Sequence, residues 1–502
     1  MNAVKGGTVP VGVVVHGNET RRLEELAQRA SRAAHGISLL GVAEGDSIAM
    51  LMQNSIASLE VMLAADISGA YLVAINWHLT DRELQYLLSD SGAKLIICDS
   101  GFTDRLARLA PHINRIVTGK TTAQNDSWEG LIRRHPPLAS PAFLHRSNIV
   151  YTSGTTGTPK GVVRSPVTDE QRAGQISIAR TVYGIGDDGF RTVICGPLYH
   201  GAPNFIATYA LANGGFIVLV DRFDPEQLLR QIEEHKITHI HLVPTMMVRL
   251  LSLPKSVRQK YDLSSLRFIC HAAAPCPPAI KAQMIEWLGL IVHEYYGGTE
   301  TGPAVFCRAH DALTHPGSVG RPLPGVEIEV LDKHGVRLPT GSQGEIYISN
   351  PLFPDFTYRN RHEDRLAIER NGKVTVGDIG YVDEDGFLYL CDRAKDLYIS
   401  GGVNIYSIEI ENEILGLDGV QDCAVFGVPD DDLGEVGCAL IVPLPGLTLV
   451  PDLIREQLRE TLAGFKIPRR IEIRSSLPRE DSGKLFKRRL REPYWQGSGR
   501  TI

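Results

Sequence analysis

The chain has 502 residues, of which 43% are hydrophobic and 22% charged, an ordinary composition for a soluble globular protein. That length exceeds what one hydrophobic core usually serves, so two or more domains are expected. With 52 Lys and Arg against 58 Asp and Glu, the formal net charge is −6, which excludes a basic nucleic-acid footprint except in the short run Lys484–Arg491.

In chain order, Leu23–Leu40 carries leucine and alanine at helical spacing, and Ser47–Met52 reads as a strand. The spacing then predicts a helix over Ser58–Gly69, a buried strand over Ala70–Ile75, a helix over Asp81–Ser91 and a strand over Lys94–Cys98. The alternation resumes with strands Phe190–Cys195 and Phe216–Val220, helix Asp224–His235 and strand Ile237–Val243. Such repetition favours parallel sheets covered by helices. From about residue 315 the texture becomes β-rich, with half-exposed strands Glu327–Leu331 and Gly344–Ser349 between turn residues. Near 395 a compact α+β unit begins: helix Ile408–Leu415, strands Val420–Val428 and Ala439–Pro443, and helix Asp452–Leu462. The expected fold is thus α/β, with a large N-terminal domain (1–394, its β-rich subdomain at about 315–394) and a small C-terminal domain (395–502).

Eight cysteines without a C-x-x-C pair argue against a zinc site, and no secretory leader is apparent. The longest apolar runs, such as Phe216–Val220, are strand-length and cannot span a bilayer. A cytoplasmic location, reduced thiols and no nucleic-acid partner are expected.

The most specific local signal is Tyr151–Gly161 (YTSGTTGTPKG). Gly154, Gly157 and Gly161 permit close approach of backbone to ligand, while exposed amides and the hydroxyls of Thr152, Ser153, Thr155 and Thr156 can surround phosphate oxygens. Lys160 adds a mobile positive charge. The spacing is not that of a Walker A loop. A flexible Gly/Ser/Thr linker would rarely place Pro-Lys-Gly after the threonines and run on into Val162 and Val163.

On these residues the chain resembles the adenylate-forming superfamily of acyl-CoA synthetases, peptide-synthetase adenylation domains and luciferases, most of all stand-alone bacterial acyl-CoA synthetases. Further motifs follow in the family's order: Tyr295–Glu300 (YYGGTE), Val376–Asp378 (VGD), Asp392–Asp396 (DRAKD), Ser400–Asn404 (SGGVN) and Ser482–Lys484 (SGK). The resemblance implies ATP, Mg²⁺ and coenzyme A as reactants and cofactors, and a small-molecule carboxylic acid as substrate. It implies stacking of Tyr296 on adenine, a hydrogen bond from Thr299 to the α-phosphate, and Mg²⁺ held by Glu300 beside Thr155. Ala272, Ala273 and Ala274 would line the adenine and acyl sites, Asp378 and Arg393 would hold the ribose, and Lys484 would neutralise charge as the adenylate forms. Lys395 would be the hinge about which the C-terminal domain moves, and Gly401 and Gly402 part of the pantetheine tunnel. Two departures stand out: Asp392 where glycine is usual, and Ser407 where proline is usual.

His200 resembles the residue that gates the acyl pocket, whose other expected walls are Asn204, Met246, Ala272, Gly297 and Gly298. No Asp follows His200 early enough to pair with an α-ammonium, which disfavours an amino-acid substrate. Small residues at 272–274 and 297–298 suggest room for a bulky apolar acid: aromatic, steroid-like, terpenoid or medium-chain. The alternative acceptor is a carrier protein or a downstream acyltransferase partner. A luciferase-like oxygenase and an inactive nucleotide-binding scaffold are weaker readings, and a homodimer is compatible with the sequence.

Overall fold

The computed structural model describes residues 12–119, 126–139, 148–152, 159–165, 167–186, 190–479, 485 and 487–496. The first layer follows from apolar periodicity. Leu23–Leu39 buries Leu26, Ala30, Ala33 and Ile37 along one stripe, packed on Ile56–Ser68. These helices flank a four-stranded parallel sheet in the order Tyr71–Ala74, Ser47–Leu51, Ala93–Asp99, Asn114–Thr118. Ser47–Leu51 is buried throughout, as a parallel strand covered on both faces must be.

A second sheet is larger. Its parallel half runs Val13–His16, Phe216–Leu219, Arg191–Ile194, His239–Leu242, Phe268–His271, Val292–Gly298. Gly302–Cys307 reverses direction against the last of these, and Ser318–Pro322 and Leu388–Arg393 continue antiparallel. The β-rich segment, expected as a subdomain of the large domain, is hydrogen-bonded into one continuous sheet with the parallel strands. The texture changes because pairing turns antiparallel and one face meets water. Glu327–Leu331 and Gly344–Ser349 form where expected.

The small C-terminal domain has its own core. Val420–Asp430 and Gly434–Pro443 form a long hairpin joined by Tyr398–Ser400, Val403–Ile405 and Arg470–Ile473, with helices Ser407–Leu415 and Pro451–Thr461 packed over it. Among the described residues, no helix is long and apolar enough to cross a membrane.

Four parallel strands, Arg191–Ile194, His239–Leu242, Phe268–His271 and Val292–Gly298, end on one side of the large sheet. The segments that follow them line a common cavity of about 1680 Å³. In open α/β sheets ligands bind beyond the carboxyl ends of the strands, so this edge is the place to look for chemistry.

Candidate active site

The glycine-rich loop hangs from a hairpin. Val150–Thr152 pairs antiparallel with Lys160–Arg164, placing Thr152 opposite Lys160. Ser153, Gly154, Thr155, Thr156 and Gly157 lie outside the described residues, as does Lys484. Lys160 itself is almost fully buried. Its amine sits 3.0 Å from an Asp364 oxygen and 5.0 Å from the Tyr358 ring centre.

Glu300 is the focus of the next cluster. The Thr152 hydroxyl donates to its Oε1 at 3.3 Å and the Tyr358 hydroxyl at 2.9 Å. Among the described residues both hydrogen bonds to the Glu300 carboxylate fall on that one oxygen, and Oε2 is the oxygen that would meet a hard cation. Mg²⁺ asks for only one or two carboxylates when phosphates and water complete its shell. The donor set therefore fits, although among the described residues no three His, Cys, Asp or Glu cluster to hold a metal. Burial, then the neighbouring Glu300 carboxylate, raises the Tyr358 phenol well above its ordinary range, so it remains a donor.

The backbone beneath is held by Arg164. Its guanidinium donates to Pro354 O at 2.7 Å, to Glu300 O at 3.0 Å and to Thr299 O, and faces the Phe353 ring at 5.2 Å. Burial lowers its pKa to about 10, which still leaves it charged at neutral pH.

Tyr296 donates its hydroxyl to Asp378 Oδ2 at 2.7 Å, and Arg393 Nε lies 3.3 Å from Asp378 Oδ1. Three residues that lie in separate sequence motifs thus form one polar corner. Gly297 and Gly298 line the cavity, but the physical reason for glycine differs from that expected. A Cβ on Gly297 would meet Gly302 O at 2.0 Å, and one on Gly298 would lie 3.1 Å from Val376. The missing side chains let the Val292–Gly298 and Gly302–Cys307 strands close rather than simply widening the cavity.

Ala273 and Ala274 line the cavity, and Ala273 has a positive φ of 75°, a strained conformation often found at functional sites. Ala272 is buried at 4% exposure and is not among the lining residues. His200 lines the wall as N-cap of the helix Gly201–Ala212, its ring 4.5 Å from that of Tyr199. Asn204 is a wall whose amide is already bonded: it donates to Leu198 O at 3.0 Å and accepts from Asn148 at 2.6 Å. Met246 is buried and completes this side.

The small domain closes the cavity with Leu485, Lys487, Arg488, Arg489 and Arg491, while Lys395 lines the junction. Asp392 and Ser407 prove to be partners. The Ser407 amide donates to Asp392 Oδ2 at 2.5 Å, and the Ser407 hydroxyl donates to Asp396 O at 3.0 Å. Gly401 and Gly402 are exposed at the turn between Tyr398–Ser400 and Val403–Ile405 and lie outside the lining.

Arg164, Tyr358 and Asp364 were not read from the sequence as site residues. For Arg164 a signal existed, a cation after two valines at the end of the strand that leaves the glycine-rich loop. Tyr358 and Asp364 come from distant segments, and nothing local marks them.

A family model for AMP-binding enzymes matches residues 10–353, and the model for the C-terminal domain of such enzymes matches 409–484. The chain is 34% identical over 485 residues, 96% of its length and 95% of the relative's, to a feruloyl-CoA synthase of an Amycolatopsis species. It is 32% identical over 509 residues, 96% of its length and 93% of the relative's, to the fatty acid–[acyl-carrier-protein] ligase ScoC of Streptomyces coeruleorubidus. Among solved structures, ATP-bound MatB of Rhodopseudomonas palustris superposes with a TM-score of 0.86 at 28% identity, covering 98% of this chain and 97% of that one. The two family models together span both domains that enclose the cavity, and the chain belongs to the adenylate-forming AMP-binding enzyme family.

Proposed function

We propose that the chain is an acid–thiol ligase that adenylates a bulky, largely apolar carboxylic acid with ATP and transfers the acyl group to coenzyme A. The observation that carries this reading is the convergence on one cavity of Thr152, Thr299, Glu300, Tyr296, Asp378 and Arg393 from the large domain with Leu485, Lys487, Arg488, Arg489 and Arg491 from the small one.

A carboxylate is a poor acylating agent because it is anionic and lacks a leaving group. In the first half-reaction a substrate carboxylate oxygen attacks the α-phosphorus of ATP, and the bond to the bridging oxygen of pyrophosphate breaks. Charge grows around the α-phosphate, and fixed donors and cations there act on the transition state. Thr152, Thr299, Lys160 and the loop residues Ser153, Gly154, Thr155, Thr156 and Gly157 are assigned to the phosphates. Tyr296 flanks the adenine, and Asp378 with Arg393 holds the ribose hydroxyls. Lys484 is assigned to the position between carboxylate and α-phosphate. Glu300, beside Thr155, would hold Mg²⁺, which would neutralise phosphate charge.

In the second half-reaction the thiol sulfur attacks the acyl carbon, loses its proton and expels AMP. Lys484 must leave for the thiol to enter, which is the role assigned to motion about Lys395. Gly401 and Gly402 are assigned to the thiol channel in that second arrangement. His200, Asn204, Met246, Gly297 and Gly298 remain the residues assigned to the acyl side, while Ala272, buried behind the wall, is not. The relative ScoC, whose acceptor is a carrier protein, supports a second reading in which the acceptor is a carrier-borne thiol.

Pyrophosphate release with ATP, Mg²⁺ and a panel of aromatic, polycyclic and medium-chain acids, run with and without coenzyme A, tests this reading. Acid-dependent release that consumes the coenzyme A thiol is expected. Release without thioester moves the assignment to a carrier protein, and turnover confined to acetate or amino acids overturns the substrate class.

A further inference from the structure

The acyl side of the cavity lies between the helix Asp169–Tyr183, the helix Gly201–Ala212 and the sheet face that carries His241 and Tyr295. Ile178, Phe205, Leu211 and Val243 give it hydrocarbon walls. Three polar rings interrupt that surface. Tyr183 and Tyr295 have ring centroids 5.5 Å apart, edge to face; His241 is 6.0 Å from Tyr295 and 6.5 Å from Tyr183.

His241 is the unexplained member. Strand alternation turns Ile240 and Leu242 into the apolar core on the opposite face, so His239 and His241 share the side that faces the helix Asp169–Tyr183. His239 is satisfied there: its Nε2 meets Gly184 O at 2.8 Å and its Nδ1 meets the Thr238 hydroxyl at 2.7 Å. Among the described residues the Nε2 of His241, which is shielded from solvent, has no hydrogen-bond partner, although the residue lines the cavity. Burial pushes its imidazole down to about 4, so at neutral pH the ring is uncharged. A shielded, unmet nitrogen carries a desolvation penalty that leucine at the same position would not.

Resting on the adenylation reading above, we propose that the acid is not a plain hydrocarbon. It carries an uncharged hydrogen-bonding substituent, such as a phenolic or alcoholic hydroxyl, on its apolar body, and that group meets His241 Nε2 beside the Tyr183 and Tyr295 hydroxyls. A hydroxyl suits both neighbours because it donates to an imidazole nitrogen and accepts from a phenol. A site built to bond a substrate hydroxyl discriminates strongly against the analogue that lacks it, since its polar atoms are then left unpaired.

The test compares kcat/KM for acid-dependent pyrophosphate release on matched pairs: cinnamic and 4-hydroxycinnamic acid, biphenyl-4-carboxylic acid and its 4′-hydroxy derivative, octanoic and 8-hydroxyoctanoic acid. The wild type is expected to favour the hydroxylated member of at least one pair by tenfold or more. His241→Leu is expected to bring that preference within about threefold. His241→Gln, which keeps a polar group of similar reach, is expected to retain part of it and guards against a folding defect in the leucine variant. Equal turnover of every pair by the wild type, or an unchanged preference in His241→Leu, overturns the inference and leaves the adenylation reading standing. No pyrophosphate release with any acid removes both.

Discussion

Arg164 shows how much of a site can depend on one side chain whose hydrogen bonds all go to backbone carbonyls. Its fork ties the carbonyls of Thr299 and Glu300 to that of Pro354, and so sets where the Thr299 hydroxyl and the Glu300 carboxylate point. Lysine keeps the charge and loses the planar, multidentate geometry. Because hydrogen bonds to charged groups are worth about 1.5–3 kcal/mol each, Arg164→Lys is expected to lower kcat/KM for acyl-AMP formation by roughly 10- to 100-fold. Unfolding followed by heat checks that the variant remains folded at the assay temperature. Near-wild-type kcat/KM would mean that the Thr299–Glu300 backbone is held by its strand pairing alone. The clamp was only half legible beforehand. A cation after two valines is visible in sequence, but its partners lie 135 and 136 residues away, and only the fold brings them together. Tyr296 and Asp378, 82 residues apart, were each read from their motifs, while the bond between them was not.

Local chemistry explains which elements were readable. The helix Asp81–Ser91 has its expected bounds because Thr80 and Glu83 form a capping box and Gly92 ends it in the left-handed conformation. The helix expected from Ser58 begins at Ile56, since Ser55 is the cap and Ser58 its reciprocal partner three residues on. At the start of the helix Ser407–Leu415 the unusual Ser407 has a tertiary cause. Proline at the first helical position is favourable for the helix alone, but proline has no amide hydrogen to give Asp392, which is buried at 2% exposure. Ser407→Pro is therefore expected to destabilise the protein by about 1–3 kcal/mol, the cost of an unmet buried acceptor. An unchanged melting temperature would show that helix preference outweighs the tertiary bond. Burial chiefly raises the Asp392 pKa from 3.8 to about 6; Lys487 and the Arg393 amide oppose the shift, and Glu411 and Asp396 add to it. The folded chain thus binds more proton than the unfolded one between about pH 4 and 6, and this group's contribution to stability falls as pH rises through that window. Asp392→Asn has no such group, so the melting temperature of wild type relative to Asp392→Asn is expected to fall from pH 4 to 6.5. A flat difference would place the proton elsewhere.

At the scale of the whole molecule, one cavity has to serve two half-reactions with different demands, and the proposed rotation about Lys395 would let the small domain present a different face to each. In the structure its Leu485, Lys487, Arg488, Arg489 and Arg491 face the cavity, with Arg489 bonded to Glu83 of the large domain at 2.6 Å, while Gly401 and Gly402 stand exposed on a hairpin turn. Such an exposed pair between nearly rigid domains is worth at most about 1 kcal/mol, so this contact does not prevent rotation. The two glycines then provide a clean separation of the half-reactions. Gly402 has a φ of +83° and no heavy atom within 4 Å of where a Cβ would lie. Asparagine tolerates that backbone better than other side chains, so Gly402→Asn costs little in the arrangement seen. It is expected to leave ATP–pyrophosphate exchange within about twofold of wild type while slowing thioester formation from acyl-AMP roughly tenfold or more, a split that kinetics reads directly. Lys484→Ala is expected to do the reverse, losing acyl-AMP formation by roughly 100-fold or more and still converting supplied acyl-AMP to thioester. Opposite phenotypes from two residues of the same small domain require two arrangements of that domain about one cavity. If Gly402→Asn instead leaves both half-reactions untouched, the hairpin never reaches the thiol, and the second half-reaction must proceed without rotation about Lys395.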